Sequence, residues 1–490
     1  MKTVNIPTWL IYGILFVAAF LFVFLFSCTT SPLYEHYPFW FHGDSGIFQE
    51  MGVCLSQGGT PYVDLFDHKG PVLWFIQALG MTISPKWGIM ALQILSLFCT
   101  LIIWYKTIVL IVRKPIPSVL ISLSGLLFLL AFYQRGNLCE EWCLPFISLP
   151  IYLYIRNAKG KNNNSPLYSH TDSFIIGLCV GIIAMIRLNN TAPIIGFVLW
   201  HLIKCIQAKD FKRLWKDIAI MCGGMAIVFV LCSLFYLAKA GWTGVYEMIY
   251  GTFAFNFLYF GNKNALPFLS LAQHYILPVV FLLTLLLLYA KHNTEASISV
   301  PCFISIVASI LAIGSFDFWH YTMIFIPLFV ITSALSITEK NIFGNIALAG
   351  AIFFSCFISY DAADLLLFRL RGKTANTEIN DGFHRFVSNL PQEEQKSIYN
   401  AGLNHIGAGL FADENIYQCN RIIYGGHVAI SPRLQEYEKT HGIKELHPVW
   451  VLTQGPRPEP ADEYLDANYT LADSIPGGEF DPIWCWKKTF

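Results

Sequence analysis

Charge is scarce in this chain. Of 490 residues only 13% are Asp, Glu, Lys or Arg, and the two signs cancel to a formal net charge of zero. A soluble domain carries about a quarter charged residues, so an ordinary soluble protein is excluded. The lack of a basic excess removes nucleic acid as a partner. No Cys-x-x-Cys pair and no Cys/His metal spacing occurs. Most cysteines, among them Cys99, Cys179, Cys222, Cys232, Cys302 and Cys356, sit inside apolar runs as small hydrophobes. There is also no internal repeat of the kind many transporters show.

What the chain has instead is apolar length: 55% of its residues are hydrophobic. The first run, Trp9 to Cys28, resembles a signal peptide, but bulky Phe26 before Cys28 and the absence of a small-x-small site favour an uncleaved first span. Further spans of roughly membrane length are expected at 87–112, 116–133, 142–155, 173–188, 190–206, 217–239, 272–290, 297–314, 319–337 and 342–359. The pair 173–188 and 190–206 meets at a polar elbow and is open to a second reading as a re-entrant hairpin. The expected fold class is therefore mainly α, a polytopic membrane protein of about eleven transmembrane helices. Residues 360–490 read as a small α/β outer domain, with strands near 397–401, 449–453 and 483–487 and helices near 382–390 and 432–439. Cys419 and Cys485 lie in it, either as a disulfide or as two free thiols.

The stretch 29–86 interrupts this pattern. Its run Gly70–Ile83 spans roughly 21 Å as a helix, short of the core thickness of about 30 Å, so it is expected to lie along the interface. Ser45–Gln57 has a similar, weaker apolar stripe. With the N-terminus cytoplasmic, basic residues such as Arg113, Lys114, Arg156, Lys204, Lys212 and Arg213 fall on inner segments, as the positive-inside rule requires. This places 29–86 and the C-terminal domain outside, on the outer face of the membrane. The resulting division is 1–359, a transmembrane domain carrying the loop 29–86, and 360–490, the outer domain.

Ionisable groups near a bilayer are costly and mark function when they face a cavity. Asp44, beside His42, either caps an interfacial helix or, with its pKa raised near the membrane, serves as a general base. Asp67, His68 and Lys69 precede Gly70-Pro71 at the entry to the second interfacial helix. Lys69 either snorkels to headgroups or holds a phosphate as a point charge. Arg135, Glu140, Arg187, Asn189, Asp317 and His320 fall in other outer loops, each with an ordinary structural reading. Their shared side of the membrane suits a phosphate-linked, lipid-borne sugar.

Two motifs carry a family resemblance over roughly residues 8–340: Gly43-Asp44, and Pro61-Tyr62-Val63-Asp64-Leu65-Phe66-Asp67-His68-Lys69-Gly70-Pro71. With Gly136-Asn137-Leu138-Cys139-Glu140-Glu141 as a third, the pattern resembles bacterial GT-C glycosyltransferases. These are multi-spanning enzymes similar to protein O-mannosyltransferases and lipid A aminoarabinose transferases. The resemblance implies a polyprenyl-phosphate sugar donor, membrane lipids as surroundings, and transfer to an envelope acceptor (glycan, lipid or protein) on the outer leaflet. It makes Asp44 the family's first-loop acid, the candidate base, and Lys69 the donor-phosphate contact. On the reading of the residues themselves, Asp67 joins Asp44 as a catalytic residue, His68, Arg135 and Arg187 join Lys69 on the donor phosphate, and His42, Glu140, Asn189, Asp317 and His320 complete the pocket. This chain has Lys-Gly-Pro where the family has Lys-Pro-Pro. A divalent metal ion occurs in some relatives, and no ligand set in this sequence demands one. Two other classes compete: a transporter or flippase for a lipid-linked saccharide, and a non-catalytic subunit of an envelope-polymer assembly.

Overall fold

The computed structural model describes residues 7–27, 43–160, 168–261, 268–290, 296–314, 318–338, 342–359, 378–460, 462–478 and 481–489. His42 and Asp317 lie outside the described residues. The chain divides into two compact units. The first comprises Met1–Phe26, Gln93–Leu231 and Asn264–Leu367; the second comprises Ser27–Leu92, Cys232–Lys263 and Phe368–Phe490.

The first unit is built of helices and has no strand among its described residues. Its most deeply buried element is the helix Ile326–Thr338, where every residue from Ile326 to Ser336 is buried. Phe329 stacks on Phe281 at 4.1 Å and meets Phe128 edge-on at 5.9 Å. Helices surrounded by lipid gain little from the hydrophobic effect and associate instead through close backbone approach at small residues. Gly196 is such a point. A Cβ there would fall 2.1 Å from the Pro301 carbonyl oxygen, so only glycine lets Ala192–Gln207 reach Ala296–Ile313 this closely.

Among the described residues, seven helical runs are long and apolar enough to cross a membrane: Thr8–Phe26, Gly88–Val112, Pro115–Phe132, His170–Gln207, Phe211–Tyr259, Ala296–Ile313 and Trp319–Thr338. The protein is thus a polytopic membrane protein, with seven runs meeting this measure among the described residues. Helix Cys139–Gly160 carries Glu140, Glu141, Arg156 and Lys159. The apolar helices Tyr275–Leu288 and Gly344–Ile358 are short. The elbow between the two spans expected at 173–206 is a single 3-10 turn, Leu188–Thr191, inside one continuous run. The helix from Phe211 breaks at Ala240 and Gly241, whose φ of +62° suits glycine, just past the expected end at 239.

The second unit gathers the first loop, the segment 232–263 and the tail. Helices Gly43–Ser56 and Pro71–Ile83 pack against each other, with Phe48 and Trp74 in ring contact at 5.9 Å. Gly52 permits the contact, since a Cβ there would meet the Gln77 Cβ at 2.6 Å. Pro71 sits in the first turn, where its missing N–H and fixed φ favour helix entry. On Pro71–Ile83, Leu73, Trp74, Gln77 and Met81 are buried while Leu79 and Ile83 are exposed. Only 13 residues long, this helix is too short to cross a membrane.

The tail builds a four-stranded sheet from β1 (Ile398–Asn400), β2 (Trp450–Gln454), β3 (Tyr469–Ile475) and β4 (Ile483–Lys488), in the order β1-β2-β4-β3. β1 and β2 are parallel; the other pairs are antiparallel. Alternation along the strands sends Ile398, Leu452, Ile483 and Cys485 to one core and Tyr399, Val451 and Trp486 to the other. Cys419 packs on the second core, across the sheet from Cys485, and both are free thiols. The first-loop segments are bound to this tail. Phe66 N–H donates to the Arg421 carbonyl at 2.7 Å, in a parallel bridge with Ile422, and Gln418 N–H donates to Glu50 Oε1 at 3.0 Å. Compactness therefore groups residues 27–92 with the tail.

Candidate active site

In the second unit the turn after Gly58 closes when Asp64 Oδ2 accepts the Thr60 N–H at 2.6 Å. Tyr62, in the left-handed region at φ 70°, is fully buried and donates its hydroxyl to the Lys69 carbonyl at 2.5 Å. Asn256 Nδ2 donates to the His68 carbonyl at 3.0 Å. The backbone of Asp67-His68-Lys69 is thereby fixed, and all three side chains are buried.

Those side chains converge with one supplied by the tail, His427. Lys69 Nζ lies 3.5 Å from Asp67 Oδ2, and the Lys69 N–H donates to the same oxygen at 3.3 Å. His68 Nδ1 lies 3.5 Å from Asp67 Oδ1 and 3.1 Å from His427 Nε2, which is 3.7 Å from Asp67 Oδ1. Burial by itself raises the Asp67 pKa, but Lys69, His68 and His427 outweigh it and hold the carboxyl well below the usual range. His427 is pushed down to about 3, first by burial and then by His68, so its imidazole is neutral at neutral pH. Asp44, in the first turn of Gly43–Ser56, is near enough to act electrostatically on His427. It lies inside the helix rather than at its cap, where a carboxylate also favours the helix dipole.

The three facing atoms have the disposition of a metal site. A point equidistant from His68 Nδ1, His427 Nε2 and Asp67 Oδ1 is about 2.0 Å from each, the bond length of a divalent transition ion to imidazole or carboxylate. Asp67 Oδ1 and His427 Nδ1 are buried with no hydrogen-bond partner. An orphaned carboxylate oxygen and a neutral imidazole fit a divalent cation.

The first unit assembles a second set. Arg187 Nη1 donates to Glu140 Oε1 at 3.1 Å, its guanidinium lies 4.0 Å over the Tyr321 ring, and it also donates to the Tyr321 hydroxyl. His320 Nδ1 is 2.6 Å from Gln134 Oε1, and its Nε2 is 3.9 Å from Glu140 Oε2. Asn189 donates to the Ala312 carbonyl at 3.2 Å, a structural contact. Arg135 belongs to a run of four left-handed residues, Gln134 to Asn137, three of them not glycine. Such residues cost about 1–3 kcal/mol each and persist where the surroundings over-determine them. Here Glu141 accepts from Asn137 N–H at 2.6 Å and from the Tyr133 hydroxyl at 2.9 Å, and the Trp142 indole donates to Asn137 Oδ1 at 2.9 Å. The structure thus brings Asp67, His68 and Lys69 together in one unit, with Asp44 in electrostatic range, and Glu140, Arg187 and His320 together in the other.

Sequence reasoning missed His427, Glu50 and the Glu247 clamp. His427 is a single histidine in a Gly-Gly-His-Val run, with no spacing signal. Glu50 sits within the apolar stripe of its helix and is fully buried; burial raises its pKa to about 8 against one backbone hydrogen bond. Glu247 accepts from Arg421 at 2.5 Å and from Arg433, with Arg421 stacked 4.7 Å from Tyr437. The alternation of basic and aromatic residues near 421–437 was its only trace.

Comparison with known proteins bears on this architecture. Residues 16–344 match the family described as "Putative competence-induced protein Ccs4 N-terminal domain". No curated protein matches by sequence. Among solved structures, ArnT from Cupriavidus metallidurans in the apo state aligns with a TM-score of 0.57 at 10% identity, covering 97% of each chain. The same protein bound to undecaprenyl phosphate aligns at 0.54 and 12% identity, again over 97% of each chain. The Archaeoglobus fulgidus oligosaccharyltransferase in complex with Zn and sulfate aligns at 0.51 and 10%, covering 91% of this chain and 68% of that one. These likenesses establish a fold shared with those proteins.

Proposed function

The chain belongs to the Ccs4 N-terminal domain family, and from that premise together with its GT-C fold we propose that it is a membrane glycosyltransferase. It moves a sugar from a polyprenyl-phosphate donor to an envelope acceptor. The observation that carries this reading is the buried Asp67-His68-Lys69 run meeting His427. A lysine only 6% exposed, placed just ahead of the helix starting at Pro71, is a cation held out of water. Asp67 at 3.5 Å pairs with this buried charge, and the helix N-terminus beside it adds its own attraction for anions. A phosphate completes such a site. The ArnT structure with undecaprenyl phosphate supports the same ligand class by analogy.

In this mechanism Asp44 takes the proton of the acceptor hydroxyl as its oxygen attacks the anomeric carbon. The bond from that carbon to the phosphate oxygen breaks, and the electron pair leaves with the polyprenyl phosphate. Lys69 stabilises the departing charge, helped by His68, and direct displacement inverts the anomeric configuration. Asp67 holds Lys69 and the two histidines in place. A divalent ion, when bound, would be held by Asp67, His68 and His427 and would supply Lewis-acid stabilisation of phosphate oxygens. Eleven passes, with the N-terminus cytoplasmic and 29–86 and 360–490 on the outer face of a bacterial inner membrane, give both substrates access. The test is release of polyprenyl phosphate from lipid-linked sugars by protein in nanodiscs with an envelope extract as acceptor. Release by wild type and not by Asp44→Asn is the expected result; equal release by both overturns Asp44 as base.

A further inference from the structure

The tail contains a cavity that the proposed chemistry does not use. It measures about 350 Å³ and opens beside β1, lined by Tyr399, Asn400, Asn420, Glu438, Asp462 and several small or aliphatic residues. That volume lies within the ~300–1,000 Å³ range of small-molecule sites. Its walls are pre-formed. Asn400 Nδ2 donates to Gln418 Oε1 at 2.9 Å, and Asn420 Oδ1 accepts the Asn400 N–H at 2.8 Å, so neither amide is free to collapse inward.

One polar group is left over. Tyr399 is only 6% exposed, its ring packs in the core with Val451 and Trp486, and its hydroxyl has no hydrogen-bond partner among the described residues. The hydroxyl opens into the cavity, where it is available to a ligand atom as donor or acceptor. Burial first, and the neighbouring Glu438 next, push its pKa up, which keeps it a donor. Glu438 and Asp462 contribute carboxylate oxygens to the same cavity; one oxygen of Asp462 is engaged by the Leu465 N–H at 2.8 Å. Among the described residues no Lys, Arg or His lines it. Phosphorylated or otherwise anionic ligands are therefore repelled, whereas an ammonium is attracted. Ile422, Ile423 and Ile443 add an apolar side against which the C–H face of a sugar ring packs.

We propose that this cavity binds an amino sugar, with Tyr399 donating to a ring or hydroxyl oxygen and Glu438 and Asp462 accepting from its ammonium and hydroxyl groups. Binding stands on the cavity alone. Its role as the acceptor-recognition site rests on the glycosyltransferase reading.

The test is calorimetric titration of the full-length protein in nanodiscs with glucosamine, alongside glucose, glucose 6-phosphate and lysine amide. The expected result is glucosamine binding, at least tenfold weaker glucose binding, and none for glucose 6-phosphate. Tyr399→Phe, Ala401→Trp, which fills the cavity, and the double variant Glu438→Gln/Asp462→Asn, which keeps an oxygen for the Leu465 cap, each weaken glucosamine at least tenfold. No glucosamine binding, or binding indifferent to all of these changes, overturns the site. Lysine amide binding as well as glucosamine overturns the sugar assignment. Polyprenyl-phosphate release measured on the same samples separates the two readings. Release without glucosamine binding sinks the cavity site only, and binding without release under any donor sinks the glycosyltransferase reading only.

Discussion

Two clusters of histidine and aspartate are buried in this protein, and they are built to opposite ends. In the first unit Asp217 accepts from His170 at 2.7 Å, from His201 at 3.0 Å and from Arg213 at 3.4 Å. His201 Nδ1 accepts the Tyr168 N–H at 3.1 Å, so the proton of that ring sits on Nε2 and is given to Asp217. Cys205 lies 3.8 Å from the same nitrogen. A nitrogen that carries a proton has no lone pair for a metal, and the network is closed. In the second unit Asp67 Oδ1 and His427 Nδ1 are left without hydrogen bonds. Both places set histidines around a buried aspartate. Satisfaction distinguishes them: a complete network holds helices together, and an incomplete one awaits something from outside.

The comparison can be broken in several ways, and the largest effect is expected at the open cluster. Asp44→Asn should lower turnover by roughly 10²–10⁴ while leaving the thermal midpoint unchanged; Asp217→Asn should do the reverse, retaining turnover and lowering the midpoint. Lys69→Met should reduce polyprenyl-phosphate release by about 10²–10³, read in the same nanodisc assay. A sharper contrast comes from metal content measured by mass spectrometry after zinc loading. His427→Ala should abolish a stoichiometric ion, and His201→Ala should leave it untouched. Loss of metal in His201→Ala alone would assign the ion to the wrong cluster here.

Two further changes concern stability. Glu247→Gln leaves Arg421 buried opposite a neutral partner, a change of about 3–5 kcal/mol for a broken buried pair, visible as an early denaturation midpoint. Glu50 has the clearest sign. Its pKa is raised by burial to about 8 from the model-compound 4.5. The folded state therefore holds more protons than the unfolded one between these values, and stability falls as pH rises through that window, by roughly 1 kcal/mol per pH unit. Glu50→Gln should flatten this slope in melting experiments between pH 5 and 8. An unchanged slope would mean that Glu50 is ionised in the folded protein.

Much of the helical framework is legible in the sequence because apolar length needs no partner to be read. The expected ends at 112, 133 and 239 fall within a residue or two of observed helix ends or breaks. β1, β2 and β4 are legible for the related reason that their side chains are buried. β3 was not, since its residues Thr470 to Ser474 are exposed and lack an apolar alternation. The same limit governs the site. Asp67, His68 and Lys69 stand out as a run in an apolar chain, whereas His427 becomes meaningful only through contacts that join positions 359 residues apart. Arg135, Glu140, Arg187 and His320 were legible as residues, but their pairing depends on which helix ends meet.

That separation has a consequence for how the protein is made. At a ribosomal rate of roughly 5–20 residues per second, His427 follows His68 by about 20–70 s. During that interval the helix pair Gly43–Ser56 and Pro71–Ile83 has neither the Gln418 N–H for Glu50 nor the Arg421 carbonyl for Phe66. The nascent first loop must therefore be kept from degradation and wrong partners until the final quarter of the chain arrives. A truncation that spares every apolar helix would still leave it permanently unfinished.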